Sequence, residues 1–276
     1  MAEIAPVTQF ATLRKQTHLT TGEFREYWSD VHGPAVSQLP GIHEYVQHHL
    51  RHDTGQWWPQ IRDVSRHLDG PEQLDGAPEV IFTSAVAREK WVTLADGIQA
   101  DEINAFSSMK HQLVLPGNAI DFVRRDDELD DDHELRTFKL LIFLVPRSSP
   151  TELRECLREV VAPSFATVPL RMVRLSLLDE PEMSSWQPTG VSVDADSINY
   201  SACLELEWTD YRSARQFYGS DAFGVIAAAI SEHAQHLNAY RVDASYRFVR
   251  DGTMTLAGAY GVSRARVIRD VGAVNH

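Results

Sequence analysis

The feature that most constrains this chain is its division by one segment that cannot be buried. Arg124-Arg125-Asp126-Asp127-Glu128-Leu129-Asp130-Asp131-Asp132-His133-Glu134 is almost wholly charged, and the stretches on either side are of similar length. Residues 126–136 therefore read as an acidic linker between a first unit, 1–125, and a second, 137–276. The period-2 and period-3.6 patterns come in the same order on both sides. In the first unit strands are expected at 7–16, 43–51, 79–83 and 111–115, with helices at 21–32 and 85–109. In the second, strands fall at 137–145, 170–178, 198–208 and 237–246, with helices at 150–161 and 211–232.

That order is β-α-β-β-α-β twice, an α+β arrangement of two ferredoxin-like units in tandem. Each unit is an antiparallel four-stranded sheet with helices on one face, so its other face stays apolar until something covers it. Two long insertions, 52–74 with Trp57-Trp58-Pro59 and 180–197 with Trp186-Gln187-Pro188, sit at matching places. Loops of that length are expected to cover a cavity mouth or form a subunit contact. Asp251-Gly252 marks a hairpin, and 263–271 a short terminal helix.

The densest local pattern runs from Lys15 to His49. Thr20 and Thr21 are candidate N-caps, Glu23 lies in the first turn, and Phe24, Tyr27, Trp28 and Val31 form an apolar stripe. Gly33 before Pro34 is the expected helix stop, placing His32 on the last turn. There it can titrate near neutral pH against a ligand, or simply favour the helix dipole. On the next strand, alternation puts His43, Tyr45, Gln47 and His49 on one face and Val46, His48 and Leu50 on the other.

Arg14-Lys15, the Thr-rich cap, Glu23-Phe24, Tyr27-Trp28, His32-Gly33-Pro34, Pro40-Gly41 and Tyr45 together resemble the EthD family of the dimeric α+β barrel superfamily. The resemblance implies that the two sheets face each other as a barrel supplied by one chain. It also implies chemistry on aromatic metabolites: cyclases, dehydratases and decarboxylases, with cofactor-free, quinone-forming oxygenases beside them. In the second unit Ala162-Pro163-Ser164 replaces His-Gly-Pro, so that half reads as scaffold.

The expected catalytic residues are His32, as acid or base, with Tyr45 and His49 orienting an enol, phenol or carbonyl oxygen. Tyr27, Trp28, Gln47 and His111 are the expected substrate-binding residues, with the Tyr45 face turned into the barrel. No metal site is expected: His48 and His49 point to opposite faces, and HExxH or Cys-His spacing is missing from the sequence. No cofactor is expected either, although a helix-borne histidine keeps haem as an alternative. The reading is a cofactor-free enzyme for a hydrophobic, aromatic or polyketide-like molecule. Its alternatives are the oxygenase and a non-catalytic binding or accessory protein.

A formal net charge of −13 argues against nucleic acid as a partner. No apolar run is long enough to span a membrane, and Met1-Ala2-Glu3-Ile4 lacks the order of a secretory leader, so a cytoplasmic location is expected. The two cysteines, Cys156 and Cys203, are expected to be reduced. A homodimer is a possible assembly.

Overall fold

The computed structural model describes residues 6–52, 57–66, 73–124, 132–166, 168–179, 191 and 198–272; for 132–136 and 166 it describes the backbone alone. The ten strands among the described residues belong to one sheet, in the order β4-β1-β3-β2-β9-β6-β8-β7-β5, with the short β10 (Thr253–Met254) beside β9. The first unit supplies β1 (Val7–Lys15), β2 (Ile42–Leu50), β3 (Gly76–Phe82) and β4 (Phe106–Val114). The second supplies β6 (Asp132–Pro146), β7 (Met172–Leu177), β8 (Ala202–Trp208) and β9 (Ala234–Arg250). Within each, the spatial order is fourth, first, third, second strand, which is the ferredoxin-like order read from the sequence.

The two sheets are continuous through β2 and β9, which pair antiparallel from Tyr45↔Val249 to Leu50↔Val242. They curl until their helix-free faces meet. Phe10 of β1 packs edge-on to Phe143 of β6, ring centroids 6.0 Å apart. Leu50, Ala77, Leu141, Tyr240 and Val242 fill the same interior. Arg174 of β7 makes a bidentate bridge to Glu79 of β3, at 3.1 and 2.7 Å. Lys139 of β6 meets Glu205 of β8 at 2.5 Å. Burial alone would raise the Glu205 pKa, but Lys139 beside it holds it down to about 2. Along the far edge Asp179 N–H donates to Leu113 O at 2.8 Å, and Gln112 Nε2 donates to Tyr200 O at 2.8 Å.

Several elements differ from the sequence reading. The helix expected over 85–109 is two, α3 (Ala85–Leu94) and α4 (Asp96–Ala105), and β4 begins at Phe106. The second unit divides likewise into α7 (Tyr211–Tyr218) and α8 (Asp221–His233), with Gly219 and Ser220 between them. Residues 132–136 are strand, paired with β9 from Asp132↔Tyr246, so the linker ends earlier than charge alone suggested; 125–131 lie outside the described residues. β5 (Ala119–Arg124), unforeseen, pairs with β7.

The two units exchange covers. Trp58, Ile61 and Val64 from the first unit's insertion are buried in the second unit's helix-side core. Trp57 lies against Phe138 and Tyr211, with the Arg241 guanidinium 5.0 Å from its ring centre. The described part of the insertion, 57–66, thus packs within the chain, because its tryptophans find an apolar slot next door. Most of the 180–197 insertion lies outside the described residues. In return the second unit's last strand turns at Asp251 (φ 49°) and Gly252 (φ 75°), the positive angles of a type I′ hairpin. It then sends α9 (Leu256–Tyr260) and α10 (Val262–Asp270) onto the first unit, where Phe248, Ala257, Val262 and Ala265 join a core with Val36, Ile42 and Tyr45. Among the described residues, no helix is long and apolar enough to cross a membrane.

Candidate active site

The site is built on α1 (Thr21–Tyr27), which opens with a reciprocal capping box: Glu23 N–H donates to Thr20 Oγ1, and Thr20 N–H donates to Glu23 Oε2 at 2.8 Å. The helix does not stop at Gly33. It widens into one π turn, Trp28–His32, and continues as α2 (Gly33–Ser37), with Gly33 itself helical and its N–H donating to Trp28 O. Proline lacks an N–H and crowds the carbonyl four residues back, so a π turn just before Pro34 lets the helix continue. The second unit has the same device: α5 (Pro150–Cys156), a π turn at Leu157–Val161, then α6 (Ala162–Ala166) before Pro163 can stop it. Val161 occupies the place of His32 there.

The extra residue turns His32 inward, where it is 4% exposed, while Val31 is left half-exposed. Two glycines make the fit possible. A Cβ on Gly33 would lie 2.4 Å from the Phe248 ring, and one on Gly76 would lie 2.4 Å from the Trp28 ring. Trp28 is fully buried, stacked on Phe24 at 5.5 Å and tilted over His49 at 4.5 Å.

His32 Nδ1 lies 3.0 Å from Asp101 Oδ2. The other oxygen of Asp101 accepts the Tyr27 hydroxyl, and the hydrogen bond from His32, ahead of that from Tyr27, holds the Asp101 carboxyl below its usual range. Burial first, and Asp101 second, push the Tyr27 phenol up to about 12. An ionised carboxylate only accepts, so Nδ1 of His32 carries a proton, and in the neutral ring the lone pair is left on Nε2.

His32 lines a small cavity of about 40 Å3 between the first sheet and its helices. Its walls are mostly apolar, with Trp28, Val36, Val80, Trp91, Phe106 and Met109 among them, and Gln9, Tyr45, Glu102 and His111 supply polar groups. This is the usual composition of a small-molecule pocket. Gln47, fully buried, donates from Nε2 to Tyr45 Oη at 2.7 Å and to Trp28 O at 3.0 Å. Tyr45 Oη therefore accepts from Gln47 and keeps its own hydrogen to give. Burial, the largest effect, and the charge of Glu102 raise its pKa, so the phenol stays neutral. Arg88 Nε donates to Gln9 Oε1 at 3.0 Å, which orients the Gln9 amide so that its Nε2 donates to His111 Nδ1 at 3.1 Å. Burial lowers the His111 pKa to about 3, fixing a neutral ring protonated on Nε2.

The sequence reading had Tyr45, Gln47 and His49 facing the barrel interior. Alternation along β2 holds, but that face looks to the helices, and His48 is the residue that points between the sheets, bonded to Ser245 Oγ at 2.8 Å. The structure brings His32, Trp28, Tyr45 and His111 to one cavity, with Tyr27 behind His32 and Gln47 behind Tyr45. His49 is not brought there. It lies behind Trp28, gives its Nε2 hydrogen to Gln47 Oε1 at 3.3 Å, and borders a separate polar cleft with Arg25, Asp243 and Tyr246. Asp101 and Glu102 were missed. The available signal was a carboxylate at Glu102 on the buried stripe Ile98, Glu102, Ala105.

Among the described residues, one group of potential metal ligands converges, His43, Glu44 and Asp251, at a surface turn away from the cavity. Glu44 is already engaged by Arg247, 3.4 Å away, and by the Asp251 N–H. In the second unit Trp58, Phe165 and Trp208 pack together on the helix side of the sheet.

Residues 16–84 match the EthD domain family. The fold resembles a Fusobacterium nucleatum protein provisionally named a monooxygenase, with a TM-score of 0.53 and 10% identity over 92% of this chain and 99% of that one. It also resembles an anthrone oxidase-like protein, with a TM-score of 0.55 and 10% identity over 89% and 94%. At such identity these likenesses speak to the fold. No curated protein matches the chain.

Proposed function

We propose, from the match of residues 16–84 to the EthD domain family and the two-unit α+β fold around them, that the protein is an enzyme. It binds a hydrophobic, aromatic or polyketide-like molecule in the first-unit cavity and moves a proton with His32, without a bound cofactor. The observation that carries this reading is the His32–Asp101 pair, at 3.0 Å, beside a mostly apolar cavity. Asp101 fixes the tautomer and stabilises the imidazolium that forms when Nε2 takes a proton. Neutral Tyr45 and His111 are donors to oxygen charge that develops on the substrate. Removal of a proton beside a carbonyl gives an enolate, from which cyclisation or dehydration can follow; a decarboxylation instead leaves an enolate, to which the imidazolium returns a proton. The free, buried cysteines Cys156 and Cys203 suit a cytoplasmic setting.

The names of the fold relatives favour a second reading, in which the same anion reacts with dioxygen to give a quinone. Both readings are tested with a hydroxylated anthrone, following products by mass, dioxygen uptake and quinone absorbance. Oxygenation consumes one dioxygen and releases one water per quinone; cyclase or lyase chemistry consumes none. In either case His32→Ala is expected to keep affinity within a few-fold and lose about 10²–10⁴ in turnover. Equal turnover in His32→Ala defeats the proton-transfer role, and binding without turnover by the wild type identifies a binding protein.

A further inference from the structure

His49 is 1% exposed, yet its ring borders a second cleft, of about 460 Å3. The cleft lies at the seam of the two units, between α1 and the π turn on one side and β9 with the start of α10 on the other. Its volume is in the range of small-molecule sites and far exceeds that of the cavity at His32.

The tautomer of His49 follows from Gln47. Trp28 O can only accept, so the Gln47 atom 3.0 Å from it is the amide nitrogen, which also donates to Tyr45 Oη. Gln47 Oε1 is therefore an acceptor, and His49 Nε2 carries the hydrogen that meets it at 3.3 Å. The lone pair of the ring is left on Nδ1. Among the described residues nothing bonds to Nδ1, and it is not one of the nitrogens sealed inside the protein. A buried imidazole with one nitrogen fixed and the other unmet presents a single acceptor to whatever enters the cleft.

The charges nearby narrow the choice of donor. Burial first, and then the Arg25 guanidinium, hold His49 unprotonated. A charge that repels a proton at this ring repels an ammonium group there as well, so the fitting donor is a neutral hydroxyl. Arg25 uses Nη2 for Leu50 O at 2.8 Å and for Asp243 Oδ2 at 3.0 Å. Its Nε and Nη1 hydrogens meet no partner among the described residues and suit a carboxylate. Arg241 puts a second guanidinium on the wall. The carboxylates of the lining are already engaged or in water: Asp243 is shared by Arg25 and Arg51, Asp30 accepts twice from Ser263, and Glu26 is exposed. Tyr246, edge-on to His49 at 5.0 Å, joins Ala244 and Val262 as the apolar part of the cleft.

We infer that the seam cleft is a second binding site, for a small hydroxycarboxylic acid bearing an apolar group. The hydroxyl donates to His49 Nδ1, the carboxylate meets Arg25, and the apolar group lies along Tyr246 and Val262. The assignment depends neither on the cavity at His32 nor on turnover.

The test is calorimetric titration of the full chain with mandelate, with phenylacetate, which lacks the hydroxyl, and with mandelamide, which lacks the charge. Mandelate is expected to bind about three- to tenfold more tightly than phenylacetate and about tenfold or more tightly than mandelamide, the ranges for hydrogen bonds to neutral and to charged groups. Arg25→Gln should erase the preference over mandelamide, and His49→Phe the preference over phenylacetate. A circular-dichroism melt confirms that each variant is folded. Because His49→Phe also takes a donor from Gln47, the wild type supplies a reading independent of it: in histidine-nitrogen NMR spectra, mandelate should move the His49 Nδ1 signal and leave His32 in place. Mandelate that fails to bind, binds no better than either analogue, leaves His49 unmoved or moves His32 instead overturns the assignment. So does Arg25→Gln keeping the full preference.

Discussion

Asp101 Oδ2 and His32 Nδ1 stand 3.0 Å apart across sixty-nine residues of chain, joining α4 to the π turn. Asp101→Asn keeps the shape but removes the ionised acceptor that fixes the imidazole tautomer. Turnover is expected to fall by at least about a hundredfold, with ligand affinity changed only a few-fold. Steady-state kinetics beside direct titration separates the two. Asp101 also carries a stability signature. Its folded pKa is depressed below 3.8, so its contribution is fully present above that value and is lost as pH falls through the folded pKa. Acid melts of wild type against Asp101→Asn below pH 4 should show the steeper loss in wild type.

Burial holds His48 and His111 neutral, each with a pKa lowered to about 3, and His49 is lowered well below its ordinary value. The unfolded chain binds more protons than the folded one between those values and about 6.5, so stability must decline as pH drops through that window. Each ring contributes on the order of 1 kcal/mol per pH unit. Denaturant midpoints at pH 7 and pH 5 should differ markedly in wild type and less in His111→Gln; a flat profile would contradict neutral burial.

Gly33→Ala places a methyl 2.4 Å from the Phe248 ring and 3.0 Å from Gln47 Nε2. Overpacking of that kind costs about 1–3 kcal/mol. Denaturant unfolding should show this loss, with Phe248→Leu in the same chain recovering part of it.

Glu79→Gln leaves Arg174 buried without its bidentate partner, and the expected cost is about 3–5 kcal/mol. Replacing both residues, as Glu79→Leu with Arg174→Met, should cost clearly less, because paired apolar side chains leave no buried charge behind. Unfolding of the single and double variants completes the comparison.

Trp58→Ala empties a fully buried slot in the second unit and is expected to cost about 3–5 kcal/mol. The oligomeric state, read by light scattering, should not change, since this side chain packs within its own chain.

The repeated order of strands and helices was legible because each strand alternates cleanly and each helix carries its own stripe. Thr20 with Glu23 announced a helix start that the structure keeps. The helix end was not legible: Gly33 and Pro34 are stop signals locally, yet the helix runs on through a π turn with Gly33 packed against the Phe248 ring, more than two hundred residues away. The direction of the Tyr45 face could not be read either. Alternation separates Tyr45, Gln47 and His49 from His48, but it assigns neither set to the helices, and both faces of β2 are buried in the fold. Asp101 escaped notice because its partner is distant in sequence. Glu102 was visible as a charge on an apolar stripe, and its meaning depended on knowing that the stripe faces a cavity.

The exchange of covers between the units has a consequence for the order of synthesis. On a ribosome the first unit emerges with its sheet edge at β2 unpaired and Tyr45 still without Phe248, whose strand lies some two hundred residues downstream. The packing behind Tyr45 is therefore completed only after nearly the whole chain is made. Ser263, whose N–H and hydroxyl both bond to Asp30, closes that assembly two residues from the histidine. A nascent chain halted near residue 125 would hold the histidine and every residue that lines its cavity, but not Phe248 and the last helices that pack against Tyr45 and Asp30.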